Sequence, residues 1–316
     1  MAELLIMSGV TPHMQERLKA EFDLAFFADI SPEIWLAETG SQVRFILTDG
    51  PTGVPADVLA SLPNAEIISN VGVGYDGVDT AVATGRGIPV CHTPNVLNEE
   101  VATTALMLYL ACWRNFEAEM AHARSGRWEA LGNLPLPRTA DARTVGILGL
   151  GRIGKAIVAK LAPWSPEILY YGRSKQDVPY RYFDDLTEMA RACDTLINIA
   201  PGGAATQHLI NREVMDAVGP AGNLINVGRG STVDETALIA ALREGSLGGA
   251  GLDVYESEPF IPQALRNASN VVLLPHVASA SIETRRAMGD LAVDNLIAWK
   301  KGEALISPVP ESASLI

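Results

Sequence analysis

Four side chains in the C-terminal half of this 316-residue chain are of the types that move protons and hold anions: Arg229 in NVGRG, Asp253 and Glu258 in GLDVYESEP, and His276 in LLPHVAS. Glu258 and His276 suit an acid and base pair. A carboxylate beside an imidazole favours the imidazolium and keeps a proton available near neutral pH. Arg229 offers a planar fork that grips a carboxylate with two N–H groups, which a lysine does less well. Asp253 suits either the acceptance of a hydrogen bond from a carboxamide or the capping of a turn. Each also has an ordinary explanation when taken singly: a solvated turn arginine, a loop or helix-start carboxylate, a strand-end histidine. Further upstream, Thr144–Leu161 reads TVGILGLGRIGKAIVAKL, an apolar strand running into Gly149, Gly151 and Gly154 and then a helix. The first glycine permits a tight turn, the second lets backbone approach a pyrophosphate, and the third lets helix pack on strand. The phosphates are left at the helix N-terminus. With strand and helix both legible, the motif reads as a dinucleotide site.

These residues need strands and turns to bring them together, and the chain supplies two series. Up to about residue 98, the runs LLIM, LAFF, RFILTD, AEIISN and PVCHT alternate with helical patterns, the first starting near Pro12. From Thr144 a stronger series follows: TVGILGL, EILYYG, TLINIA, NLINVG, GAGLDV and NVVLLP, separated by amphipathic segments such as Glu235 to Arg243. Strands apolar on both faces predict parallel sheets covered by helices on each side, hence an α/β fold. Long helices are expected over about Glu99 to Ser125 and about Ile282 to Lys301 as the crossings between domains. If the last one returns to the first domain, two segments join the lobes and leave a cleft. The resulting boundaries are 1–98 with about 283–316, and about 99–282, with hinges near Asn98 and near Ser281 to Ile282. The chemistry-bearing residues all fall where strands end, which is where open α/β sheets place ligands.

Composition narrows the function classes. The length suits two ordinary domains, and 48% hydrophobic with 19% charged residues describes a globular protein. A formal charge of -13 with scattered lysines and arginines argues against nucleic acid or an anionic membrane as partner. Cys91, Cys112 and Cys193 are widely separated and odd in number, against disulfides and structural zinc, and no metal site is expected. The N-terminus MAELLIMSG lacks a basic region and a long apolar run, and the Val101 to Trp113 stretch is shorter than the roughly 20 residues of a membrane helix. A cytoplasmic location is expected.

Taken together, GLGRIG, NVGRG, GLDVYESEP and LLPHVAS, in this order and spacing, resemble the D-isomer-specific 2-hydroxyacid dehydrogenase family over almost the whole chain. The resemblance implies two Rossmann-like or flavodoxin-like domains with the active site in the cleft between them. It implies that Arg229 binds the substrate carboxylate and polarises its carbonyl, that His276 donates the proton, and that Glu258 holds and tunes His276. Asp253 would orient the nicotinamide amide. The NVGVGYDGVD loop resembles the family segment whose backbone N–H groups meet the substrate carboxylate, making Val73 and Gly74 candidates; a plain glycine-rich turn is the alternative. Gly149, Gly151, Arg152, Ile153, Gly154, Pro201, Thr206, Val227, Gly228, Ala278 and Ser279 complete the cofactor contacts it implies.

The cofactor itself is read from the strand EILYYGRSK. NAD-using folds place an acidic residue near its end to bind the ribose hydroxyls. Here Gly172 stands at that position, followed by Arg173, Ser174 and Lys175, so nothing repels a 2′-phosphate. NADPH is expected to be preferred, with NADH possible. This pattern looks like the glyoxylate, hydroxypyruvate and hydroxyphenylpyruvate reductases, and the expected reaction is reduction of small 2-keto acids to D-2-hydroxy acids. The departure from that group is Leu131 after Trp128, where some members carry a second tryptophan. A formate dehydrogenase is disfavoured, because that branch pairs its histidine with glutamine. The alternatives are a hydroxyphenylpyruvate or 2-ketogluconate reductase with the same chemistry, or a dinucleotide-sensing corepressor-like protein. By resemblance a homodimer forms through the cofactor domain, with the Val101 to Trp113 helix and the arm to Pro137 at the interface; burial of that helix within one monomer is the alternative.

Overall fold

Short apolar strands, buried on both faces, build two separate parallel sheets in a computed structural model that describes residues 2–316. The chain divides into one unit of Met1–Leu97 with Ala280–Ile316 and another of Asn98–Ser279.

In the first unit β1 (Leu4–Ile6), β2 (Leu24–Phe26), β3 (Phe45–Asp49), β4 (Ile67–Val71) and β5 (Val90–Cys91) pair in the order β2-β1-β3-β4-β5, all parallel. Side chains alternate between faces along each strand, so both faces must be covered. Leu4, Ile6, Phe45, Leu47 and Ile67 pack with Met14 and Leu18 of the Pro12–Glu21 helix and with Ala292, Val293 and Leu296 of the Ile282–Lys300 helix. Leu5, Ile46 and Ile68 enter the opposite core with Val58, Leu59 and Ala83. The C-terminal helix thus covers the first sheet, tied to it by the Ser69 hydroxyl donating to the Ala292 carbonyl at 2.8 Å.

The second unit has seven parallel strands: β6 (Thr144–Leu148), β7 (Glu167–Tyr171), β8 (Arg181–Phe183), β9 (Thr195–Asn198), β10 (Asn223–Asn226), β11 (Gly249–Leu252) and β12 (Val271–Leu273). Their order is β12-β11-β10-β9-β6-β7-β8. The order reverses between β6 and β9, and the crevice beyond their carboxyl ends is the place such sheets bind ligands. Strand β8 lies outside the sequence expectation. It is three residues long at the sheet edge, headed by a charge, and is held by the Tyr182 ring 5.3 Å from that of Tyr170.

The helix expected over Glu99 to Ser125 is broken. It runs over Asn98–Trp113, and the chain then turns through Asn115 at φ 51° before helices at Phe116–Arg124 and Arg127–Leu131. Trp113 fixes the break, since its indole N–H donates to the Thr195 hydroxyl at 3.0 Å and the Arg143 guanidinium lies 3.9 Å from its ring centroid. Asparagine is among the few residues that accept the left-handed turn that follows. The apolar run of this helix also differs from the expected interface: Val101, Ala102, Ala105, Leu108 and Tyr109 are buried within their own unit, on the Arg152–Leu161 helix and on β10 and β11. The exposed apolar side chains are Met107 and, on the arm, Phe116, Trp128, Leu131 and Leu136.

Burial pushes the thiols of Cys91, Cys112 and Cys193 up to about 12, so they pack as small apolar groups. Among the described residues no helix is long and apolar enough to cross a membrane.

Packing at the glycine turn sets a testable limit. A Cβ on Gly154 would lie 2.4 Å from the Gly149 carbonyl oxygen, which is backbone and cannot rotate away. Gly154→Ala is expected to lower unfolding free energy by about 1–3 kcal/mol in chemical denaturation without cofactor; an unchanged midpoint would show that the helix can slide on the strand.

Candidate active site

Every candidate residue of the second unit sits just beyond the carboxyl end of a strand. Gly149–Gly154 follow β6, Arg173–Lys175 follow β7, and Pro201 and Thr206 follow β9. Val227–Arg229 follow β10, Asp253 and Glu258 follow β11, and His276, Ala278 and Ser279 follow β12. Parallel strands make this inevitable, because all their carboxyl ends share one edge.

The three glycines do different things. Gly149 has φ +99°, which side-chain-bearing residues rarely adopt, and its N–H donates to the Tyr171 carbonyl at 3.0 Å. A Cβ on Gly151 would meet nothing within 4 Å, which leaves room for another molecule against the backbone. Gly154 is the point of contact between helix and strand. The first helical N–H groups, at Arg152 and Ile153, have no preceding carbonyl to bond and suit an anion. This arrangement fits a dinucleotide pyrophosphate. Beside it, Arg173, Ser174 and Lys175 are exposed on the turn after β7. Gln176 anchors that turn to the glycine loop, donating its side-chain N–H to the Leu150 carbonyl at 2.8 Å while its backbone N–H donates to the Tyr170 hydroxyl at 2.7 Å.

The two side chains expected to act as acid and base are in direct contact. His276 Nδ1 lies 2.6 Å from Glu258 Oε2, which directs Nε2 of the ring away from the carboxylate. The other Glu258 oxygen accepts the Tyr255 N–H at 3.0 Å. Burial pushes the Glu258 carboxyl up, but the hydrogen bond from His276, that from Tyr255, and the charges of His276 and Arg229 outweigh it. The carboxyl is therefore held below its ordinary range. His276 itself has φ +54°. Its backbone is set by Asp253, whose carbonyl accepts the His276 N–H at 2.8 Å and whose two carboxylate oxygens accept the N–H groups of Val277 and Ala278 at 2.7 and 2.8 Å. Asp253 has no exposed surface. Burial raises its carboxyl above the ordinary value, against the opposing pull of the two N–H groups.

Arg229 is positioned by residues that motif reading passed over. Asn226 donates from its amide to the Arg229 carbonyl at 3.0 Å and accepts the Gly228 N–H at 3.1 Å. Asn198, paired with Asn226 across β9 and β10, donates to Asn226 Oδ1 at 2.8 Å and to the Thr232 hydroxyl at 2.6 Å. Thr232 donates in turn to the Arg229 carbonyl at 2.6 Å. All three are buried. The signal was present in the sequence: TLIN and NLIN both end an apolar strand on asparagine. Next to them, a Cβ on Gly230 would lie 1.8 Å from the Tyr255 carbonyl oxygen, so glycine alone lets the arginine loop meet the Glu258 turn. A second histidine pair, His208 with Glu256, fastens the Thr206 loop to that same turn.

Val73 and Gly74 belong to the other unit, in the loop after β4.

Residues 106–278 match the D-isomer specific 2-hydroxyacid dehydrogenase, NAD binding domain family. The chain belongs to this family. It is 42% identical over 308 residues to glyoxylate/hydroxypyruvate reductase A HPR2 of Arabidopsis thaliana, covering 97% of this chain and 98% of the relative. It is 40% identical to the hydroxyphenylpyruvate reductase of Plectranthus scutellarioides with the same coverage. Among solved structures, an NADPH-dependent glyoxylate/hydroxypyruvate reductase of Sinorhizobium meliloti in complex with NADP and malonate superposes with a TM-score of 0.91 at 44% identity, over 98% of this chain and 97% of that one.

A carboxyl held below its ordinary range stabilises the fold above the free-carboxylate range and loses that contribution as the pH falls through the lowered value. Glu258→Gln keeps an acceptor for His276 Nδ1 but removes the carboxylate, and kcat for keto-acid reduction is expected to fall by about tenfold or more while NADPH affinity stays near the parent value. Unchanged kcat in the folded variant would remove Glu258 from this role.

Proposed function

We propose that the protein is an NADPH-dependent reductase of small 2-keto acids, with glyoxylate and hydroxypyruvate as its substrates and D-2-hydroxy acids as products where these are chiral. The observation that carries the reading is the 2.6 Å contact between His276 Nδ1 and Glu258. It leaves Nε2 as the proton-bearing atom for a substrate oxygen.

The cofactor, when bound, supplies the hydride that reduces the keto carbon. Gly151, Arg152 and Ile153 hold its pyrophosphate at the helix N-terminus, and Gly149 and Gly154 shape that turn. Arg173, Ser174 and Lys175 take the 2′-phosphate, since Gly172 stands where an acidic residue would select a bare ribose. Pro201, Thr206, Val227 and Gly228 flank the nicotinamide half together with Asp253, Ala278 and Ser279. Thr206 closes its own loop, donating to the Pro201 carbonyl at 2.7 Å.

Substrate is held at its carboxylate by Arg229 and by the Val73 and Gly74 N–H groups. Arg229 also lies against the carbonyl oxygen, where negative charge grows as the carbon is reduced. His276 Nε2 delivers the proton to that oxygen, and Glu258 keeps the ring oriented through its contact with Nδ1. Exclusion of water around the substrate strengthens each of these interactions.

The relatives bearing names for glyoxylate or hydroxypyruvate and for hydroxyphenylpyruvate have nearly equal identity to this chain, and the chemistry they share is the reduction of a 2-keto acid. Choice among acids rests on side chains such as Trp128 and Leu131, both exposed on the arm. Because Leu136 there is 92% exposed and Leu131 73%, the arm is the surface we assign to a second copy of the chain in a homodimer. We assign the protein to the cytoplasm, consistent with three unpaired cysteines.

In a spectrophotometric assay with glyoxylate, hydroxypyruvate and phenylpyruvate, NADPH oxidation is expected to be rapid with the two small acids. His276→Gln is expected to lower kcat by about 10²–10⁴-fold while NADPH affinity stays near the parent value. Near-normal turnover in that variant would sink the proton-donor role. Arg173→Ala is expected to lower kcat/KM for NADPH by about tenfold or more with little change for NADH. Equal effects on both cofactors would show that the arginine does not meet the phosphate.

A further inference from the structure

Resting on the reading of Val73 and Gly74 as carboxylate-binding groups, we infer that Asn70 and His92 are positioning residues that aim those two N–H groups by holding the carbonyls of the same loop. Asn70 lies on β4 with no exposed surface. Its amide nitrogen donates to the Gly72 carbonyl at 3.2 Å and to the Gly74 carbonyl at 3.0 Å. The intervening Val73 carbonyl lies 3.0 Å from His92 Nδ1. The Thr93 N–H adds a bond to the Gly72 carbonyl at 2.9 Å. Three consecutive carbonyls are therefore held by donors from β4 and from the segment after β5.

Peptide geometry converts this grip into an aim. In a trans peptide the C=O and the following N–H point in opposite directions. Holding the Gly72 carbonyl turns the Val73 N–H away from Asn70 and Thr93, and holding the Val73 carbonyl turns the Gly74 N–H away from His92. Neither N–H is engaged by another described residue, and the loop is part-exposed. Two adjacent N–H groups left without a protein acceptor can both serve one anion.

The donors are themselves fixed. Two carbonyl acceptors define which way the Asn70 amide faces, because reversing it would set Oδ1 against both. Its Oδ1 is left buried without a partner, a cost that packing alone would not require. His92 is locked through its backbone, with its N–H donating to the Ser307 carbonyl at 3.1 Å and its carbonyl accepting the Ser307 hydroxyl at 2.6 Å. Asn295 of the C-terminal helix donates to that hydroxyl at 2.8 Å. The Tyr75 ring meets His92 edge to face at 5.4 Å, and its hydroxyl donates to Glu311 at 3.1 Å.

The test is Asn70→Leu, close in volume but without donors, with His92→Gln as the milder variant, which touches one of the three carbonyls. Each is compared with the parent for keto-acid KM and kcat, for the inhibition constant of oxalate, and for NADPH affinity by fluorescence. In Asn70→Leu, KM and the oxalate constant are expected to rise together by about tenfold or more, with kcat and NADPH affinity near parent values. His92→Gln is expected to move the same two constants in the same direction by less, and it carries the test alone if Asn70→Leu does not fold. Unchanged KM and oxalate constants in a folded variant would overturn the inference, as would parallel losses in KM, kcat and NADPH affinity, which denote general damage. If the parent turns over keto acids and the variants match it, this inference fails alone. If the parent neither turns over keto acids nor binds oxalate, the functional reading fails and takes the inference with it.

Discussion

Burying the Asp253 carboxyl completely requires hydrogen-bond partners for both of its oxygens, and the chain provides them as consecutive N–H groups at Val277 and Ala278. Two successive N–H groups can face one carboxylate only if the backbone before them turns sharply, and His276 makes that turn at φ +54°. A histidine in the left-handed region is costly, so it persists only where its surroundings determine it. Here one carboxylate determines it, and the same residue's carbonyl accepts the His276 N–H. The imidazole is thereby delivered to Glu258. Without this constraint the loop after β12 would have no reason to place a ring at this point.

The same device recurs at other strand ends. Polar side chains at or next to the last position of apolar strands reach to the following loop: Asn198 and Asn226 hold the Arg229 turn, and Asn70 holds the loop with Val73 and Gly74. Such buried groups are expensive unless satisfied, and satisfied they specify one loop conformation. Glycine contributes by the opposite means, removing a Cβ where two loops must touch, as at Gly230 against Tyr255. Precise placement at the strand ends thus comes from a small number of buried amides and missing side chains, while the apolar strands supply the rigid edge from which they act.

This division explains what could be read from the sequence. All the long strands and the glycine turn were legible, because they rest on local patterns of apolar residues and glycine. Strand β8 was not, since three residues with a charge at their head carry no pattern. The break after Trp113 was also hidden: the helical periodicity continues through it, and the chain turns because a tertiary contact from Trp113 to Thr195 fixes the helix end. Arg229, Glu258 and His276 were visible as chemistry-bearing types in known spacing. Asp253 was visible as a residue but not as the anchor of His276, because that role depends on N–H groups from a loop more than twenty positions away.

The apolar run from Val101 to Trp113 shows that apolar composition signals burial without naming the surface that is covered. Ten or more apolar residues in a helix signal burial, but not against what. In this chain that helix spends its apolar side chains on its own sheet and on the Arg152–Leu161 helix, the one that begins at the glycine turn. Packing there backs the dinucleotide loop from behind. On the arm, Phe116, Trp128, Leu131 and Leu136 remain exposed, with no sheet of their own to cover. The chain turns at Asn115 between that helix and the arm, so the support of the glycine turn and the exposed apolar groups belong to separate helices, and the break after Trp113 is what divides the two tasks.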